Sequence, residues 1–149
     1  MRMKALSTLA LALAAQSMSA QGLAAHGQAA PAPAPPATVT VNVTGIKTNA
    51  GRVIVSICTK KQFLSSPCTY VTGTPAQTGS VSVVFNNVAP GRYVAAAFQD
   101  LDGNGELKFN ITGPGEPAGF SGPDQLIPNF DKAAFDVGAE PKAVNVKIK

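Results

Sequence analysis

The sequence predicts an all-β domain, an antiparallel β-sandwich of about seven strands with one long acidic loop. Three observations lead there. Apolar, mostly β-branched residues alternate with polar ones at period two in four separate runs, the pattern of half-buried strands. Gly, Pro and Asn punctuate those runs as turns. No stretch of about ten residues keeps a 3.6-residue apolar period. The most helical piece, Asp131–Phe135, has room for a single turn.

The strands follow in order. Thr38–Thr44 (TVTVNVT) places Val39, Val41 and Val43 on one face. Arg52–Ile57 repeats the pattern with Val53, Val55 and Ile57, and Ser80–Phe85 with Val81, Val83 and Phe85. Val144–Lys149 sets Val144, Val146 and Ile148 against Asn145, Lys147 and Lys149. Tyr93–Phe98 (YVAAAF) is apolar on both faces, which predicts a central strand covered on both sides. Pro90-Gly91 ahead of it fits the central pair of a type II turn, in which Gly supplies the positive φ.

The N-terminus points to export. Two basic residues, Arg2 and Lys4, precede an apolar run from Ala5 to Ala15, then small residues, the pattern of a secretory signal peptide. Residues 1–21 are expected to be that leader, with cleavage between Ser17 and Ala25. The run falls short of the roughly 20 apolar residues of a transmembrane helix, and no later segment supplies them. Residues 22–37, rich in Pro and Ala, read as a flexible spacer. The folded domain is then 38–149, periplasmic or secreted, and long enough to bury one core.

Cys58 and Cys68 are the only cysteines. An exported chain with no Cys-x-x-Cys and no nearby His predicts a disulfide over a metal or redox pair. Closing a loop of this length stabilises by roughly 2.7 kcal/mol in the chain-entropy account. Cys58 has the opposite parity to Val53, Val55 and Ile57. It is expected to leave its strand facing away from the core and to tether the 59–67 loop to the segment Cys68–Val71.

Charge narrows the partners. Without Arg2 and Lys4 the chain keeps 10 basic against 8 acidic residues, and no basic stripe, so nucleic acid is not an expected partner. The adjacent pair Lys60-Lys61 reads as a solvated loop. All eight carboxylates fall between Asp100 and Glu140, within a stretch rich in Gly, Pro, Asp and Asn. A loop of that length inside a small domain is usually functional or held by something bound.

Within it, Asp100-Leu-Asp-Gly-Asn-Gly-Glu-Leu107 follows the first half of a calcium loop. Asp100, Asp102 and Asn104 take positions one, three and five around the tight Gly105. Glu106 takes position seven, where the backbone carbonyl is the ligand. Ca²⁺ wants six to eight oxygens, and this spacing turns alternate side chains inward. The second half departs, with Lys108 at position nine and Ile111 at twelve, so a remote carboxylate must close the sphere. Glu116 is the nearest candidate, with Asp124 and Asp131 further off. The alternative is that Asp-Gly and Asn-Gly, with Gly103 and Gly105, simply reverse the chain.

Three motifs in order, Phe85-Asn-Asn-Val-Ala-Pro-Gly-Arg-Tyr93, Ala97-Phe-Gln-Asp-Leu-Asp-Gly-Asn-Gly105 and Gly113-Pro-Gly-Glu-Pro-Ala-Gly-Phe-Ser121, resemble a family of exported bacterial proteins, domain of unknown function 2141. The likeness covers about residues 38–149. The first motif also looks like prealbumin-like sandwich domains and implies an Ig-like or prealbumin-like fold. Lys108 stands where the family often has Asp, and the spacing before Glu116 is altered. The resemblance implies a fold and a compartment but no activity.

Catalysis is not expected. The one histidine, His26, lies in the spacer, which removes His-based triads and most transition-metal sites. Asp100 and Glu116 as acid and base of a hydrolase is the weaker alternative. A non-catalytic binding or structural module of the cell envelope, its acidic loop stiffened by Ca²⁺ and facing a protein or envelope partner, fits better. A second alternative is a small-molecule carrier with a pocket between the sheets, lined by Tyr93 or Phe98. Phe109, Phe120 and Ile127 are expected to form a satellite core inside the long loop.

Overall fold

A computed structural model describes residues 30–107, 109–110, 113–125 and 127–149, with the backbone alone considered at 109–110. The expected leader, most of the spacer, His26, Lys108 and Ile111 lie outside the described residues. Among the described residues, ten strands and one helical turn follow in chain order. They are β1 (Ala37–Ile46), β2 (Arg52–Cys58), β3 (Tyr70–Pro75), β4 (Gly79–Val88), β5 (Gly91–Asp100), β6 (Phe109–Asn110), β7 (Gly113–Pro114), β8 (Ala118–Phe120), α1 (Phe130–Ala133), β9 (Phe135–Val137) and β10 (Lys142–Lys147). The count exceeds seven because β6 to β9, two or three residues each, lie in the stretch expected to be loop.

Two sheets form a sandwich. One has the order β10-β1-β4; the other has β3-β2-β5-β8, with β9 also paired to β5. All the alternating runs point their apolar residues into the space between. Val39, Val41 and Val43 of β1 and Val53, Val55 and Ile57 of β2 are fully buried. Val83, Phe85, Val144, Val146 and Ile148 join them in the same cluster. Fully burying one such side chain stabilises by about 1.5–3 kcal/mol, so these positions dominate the fold. The solvent face of the first sheet is polar as expected: Asn42 donates to Asn145 at 3.2 Å and accepts from Ser82 at 2.7 Å.

One ladder departs from the antiparallel expectation: β1 and β10 run parallel, with Val41 opposite Val144 and Val43 opposite Val146. Local alternation cannot reveal this, because the chain between two parallel strands must cross over, and here nearly the whole domain is that crossover.

β5 is central, as its two apolar faces predict. Tyr93, Ala95 and Ala97 face the sandwich core. Val94, on the other face, is buried in a second cluster with Phe130 and Ala133, against which Phe63 and Phe120 pack. The Phe63 ring meets Phe120 edge-on at 5.5 Å and Phe130 at 5.8 Å. Phe120 thus belongs to a satellite core, whereas Ile127 is exposed. The helical turn begins at Phe130, one residue earlier than expected, because Asn129 caps it by accepting from the Lys132 amide at 3.1 Å.

The turn before β5 differs from the expectation in its physical cause. Gly91 does not have positive φ; the left-handed residue of this corner is Asn87, at φ 58°. Glycine suits position 91 because the Tyr93 ring folds back over it, 3.1 Å from where a Cβ would stand, so a larger residue would make the ring shift. The Tyr93 hydroxyl donates to the Ala89 carbonyl at 2.9 Å, a tyrosine corner of the kind found in immunoglobulin-like sandwiches. Burial, then the neighbouring Tyr70, pushes the Tyr93 hydroxyl above its ordinary pKa.

Candidate metal centre

Asp100 ends β5 and is buried, 3% exposed. Its two carboxylate oxygens accept backbone N–H groups from the loop that follows, Gly103 at 2.8 Å and Gly105 at 3.0 Å. Both glycines have left-handed backbones, φ 75° and 74°, which turn successive amides toward that carboxylate at no steric cost. Asp102 accepts from the Asn104 amide at 3.1 Å, and the Asn104 side-chain oxygen accepts from the Glu106 amide at 2.7 Å. The half-motif therefore wraps around Asp100 as a closed turn. It does not reverse β5 onto the next strand, since β6 pairs with β7 instead.

Glu116 reaches this loop from fifteen residues away, and its carboxylate accepts the Leu101 N–H at 2.7 Å. Carboxylate oxygens of Asp100, Asp102 and Glu116 lie within 4.8 Å of one another. The remote carboxylate expected from sequence is thus in place. Asp124 and Asp131 are not part of the cluster. Asp124 pairs with Lys149 at 2.7 Å, whose hydrogen bond holds its carboxyl below the usual range, and Asp131 pairs with Lys60 at 3.2 Å. Asn104 touches the cluster through its amide, which donates to Asp102 at 2.6 Å. The Glu106 side chain is exposed and outside it, consistent with a position that offers its carbonyl.

The donor set suits a hard cation. Each carboxylate oxygen that takes one N–H keeps a second lone pair, and the set holds oxygen alone, as Ca²⁺ prefers over softer metals. Among the described residues, no Lys or Arg forms an ion pair with Asp100, Asp102 or Glu116, whereas Asp124, Asp131 and Asp136 each have a cationic partner. Both oxygens of Asp100 are engaged by the loop's own amides, and neither Asp100 nor Glu116 lines the cleft described below.

Two buried polar residues that position this region escaped the sequence reading. Gln99, 1% exposed, donates to the carbonyls of Thr48 at 3.0 Å and Ala50 at 2.7 Å, drawing the 47–51 turn across the end of β5. Gly51 in that turn meets the Asp100 carbonyl so closely that a Cβ has no room. Ser121 accepts the Ala95 N–H at 3.0 Å and donates to the Ala133 carbonyl at 2.7 Å, tying β8 and α1 to β5. A Gln ending an apolar strand was the only available signal for the first; Ser121 gave none beyond its place in the third motif.

Cys58 and Cys68 form the expected disulfide. Cys58 leaves β2 on the face away from the sandwich core but is buried there, under the loop it anchors. Beside the bridge, the outer face of the five-stranded sheet carries a cleft of about 630 Å³, lined by Phe63, Phe98, Phe120 and the disulfide among others. Phe98 faces it, but Tyr93 lies in the core, so this cleft is not the inter-sheet pocket expected of a carrier.

Fold and loop together define a small disulfide-tied β-sandwich that displays an acidic, glycine-turned loop at one strand end. The chain belongs to the family described as "Uncharacterized protein conserved in bacteria (DUF2141)", whose model matches residues 41–145. Comparison with curated proteins and with solved structures returned no match.

Proposed function

We propose that this protein is an exported, non-catalytic binding or structural module of the bacterial cell envelope, whose acidic loop takes Ca²⁺. The observation that carries this reading is the meeting of Asp100, Asp102 and Glu116 within 4.8 Å, two of them separated in sequence by the whole loop. Three carboxylates so close repel one another, and a divalent cation between them turns that repulsion into attraction. The calcium-loop spacing would add Asn104 and the Glu106 carbonyl as further protein oxygens, with water completing the six to eight that Ca²⁺ needs. Bound there, the ion would pin Glu116, and with it the start of β8, to the end of β5. That stiffens the surface offered to a protein or envelope partner. The leader-like N-terminus supports an exported location, where Ca²⁺ is abundant enough for a weak site.

The experiment is a thermal melt of the metal-stripped protein with and without 10 mM Ca²⁺. Extracellular modules bind with Kd of about 10⁻⁴–10⁻³ M, which at that concentration gives roughly 1.4–2.7 kcal/mol and a Tm rise of roughly 5–10 °C. Asp102→Asn, an exposed position, should fold normally and lose most of the rise. An unchanged Tm in the wild type rejects the calcium reading.

A further inference from the structure

We infer that the cleft on the outer face of the five-stranded sheet is a binding site for one uncharged aromatic small molecule, separate from the acidic loop. Its floor arises from side-chain size. Ser56 of β2 and Ala96 of β5 stand opposite each other in the ladder, and both point away from the sandwich core. At the neighbouring Val94 the same face is capped by Phe63, Phe120 and α1. Among the described residues, none covers the next part of the face, over these two small residues and between Phe98 and Phe120. The opposite wall is the 59–67 loop, fixed at both ends by the Cys58–Cys68 bridge. The result is an open cleft of about 630 Å³, of a size to seat one small molecule against this face.

The chemistry of the occupant follows from the lining. None of the described lining residues carries a charge, although Lys60 and Lys61 sit in the same loop and Glu106 adjoins Leu107 at the rim. Lys60 is turned away to Asp131. An ionised ligand would lose part of its hydration with no counter-charge among the described lining residues, so the site selects against it. Phe63, Phe98 and Phe120 instead present aromatic surface from three sides. The polar groups there are few. Gln62 already bonds Thr59 and Thr69, and Ser65 donates to the Lys61 carbonyl. The Ser56 hydroxyl is left with only the Cys58 sulfur, 3.7 Å away. A disulfide sulfur has no proton, so this hydroxyl is the donor there, in a contact weak enough to yield to a ligand oxygen.

The mouth carries a further mark. Leu64, at the tip of the loop, is 58% exposed and holds φ 58°, a left-handed backbone that a Leu adopts at a cost. An exposed apolar side chain on a strained backbone beside an apolar cleft gains from a ligand that covers it.

The test uses a matched pair of dyes, uncharged N-phenylnaphthalen-1-amine and its sulfonate, anilinonaphthalene sulfonate, titrated against the intact oxidised protein. The neutral dye should brighten and saturate at one per chain, with the sulfonate weaker by about tenfold or more. Ala96→Trp fills the floor, and Leu64→Asp places a charge at the mouth on a residue too exposed to disturb folding. Each should weaken the neutral dye by about tenfold or more, with Leu64→Asp keeping the wild-type Tm. Calcium plays no part in the readout, so loss of the metal reading leaves this one intact. Absence of saturable binding overturns the site, as does wild-type affinity in the Leu64→Asp protein; equal or tighter binding of the sulfonate overturns the uncharged class.

Discussion

Between Ala37 and Asp100 five strands of six to ten residues carry the chain, whereas between Leu101 and Gly138 no strand among the described residues exceeds three. The first region holds no carboxylate before its last residue; the second holds most of the rest. Their means of support differ accordingly. In the first, valines and isoleucines at every second position are removed from water, and the energy is spread over many interchangeable contacts. In the second, single polar groups hold the chain: Asp100 on two amides, Glu116 on Leu101, Ser121 on Ala95 and Ala133, Asn129 on Lys132. Apolar burial is tolerant in detail and large in sum, while a side-chain-to-backbone bond is modest but tied to one residue. The second region is therefore the part that can be loosened without unfolding the first.

Mutation can break that contrast or sharpen it. The largest effect is expected from Ile57→Ala, at a fully buried position between the sheets. It should cost about 2–5 kcal/mol and lower protection from amide exchange in both regions together, since the second is docked on the first. A loss confined to residues 37–100 would show that the excursion folds independently. Next in size is Ser121→Ala, which leaves the Ala95 N–H and the Ala133 carbonyl without their partner. About 1–3 kcal/mol is expected, with faster exchange at 118–137 and unchanged protection in β1, β2 and β4. Uniform loss across the domain would erase the distinction between the two regions.

The smallest of the three is Tyr93→Phe, about 1 kcal/mol at neutral pH, because the freed Ala89 carbonyl is at the surface. Its stronger signature is in pH. The folded pKa of Tyr93 lies above its unfolded value near 10, so the stability it contributes is complete below pH 10 and is lost as pH rises past it. The wild type should therefore destabilise steeply in alkali, and Tyr93→Phe should flatten that slope in urea melts at pH 9 to 11. Equal slopes would assign the alkaline loss to other groups.

The three sequence motifs take on a different meaning once placed in the fold. Phe85 and Val88 are core residues, Asn87 supplies the left-handed corner, and Gly91 makes room for Tyr93. Gly119 lies against the Lys147 carbonyl with no space for a Cβ, Phe120 packs on Phe63, and Ser121 joins β8 to α1. These residues of the three motifs are scaffold. Asp102, Asn104 and Glu116, by contrast, lie at or near the surface and serve no core.

What the sequence determined by itself was everything encoded over short range. Alternation assigned the inward residues of β1, β2, β4 and β10, the double apolar face marked β5 as central, and the spacing of Asp100, Asp102, Asn104 and Gly105 laid out half a cation site. The cysteine bridge followed from there being only two. Tertiary structure decided whatever depends on two distant segments meeting. It set β10 parallel to β1, brought Glu116 to Asp100, laid Tyr93 over Gly91, and left a cleft where Ser56 and Ala96 happen to be neighbours. The reason is physical: period-two burial is a property of one strand, whereas register, crossover and the gap between facing side chains belong to pairs of strands and are set only when they pack.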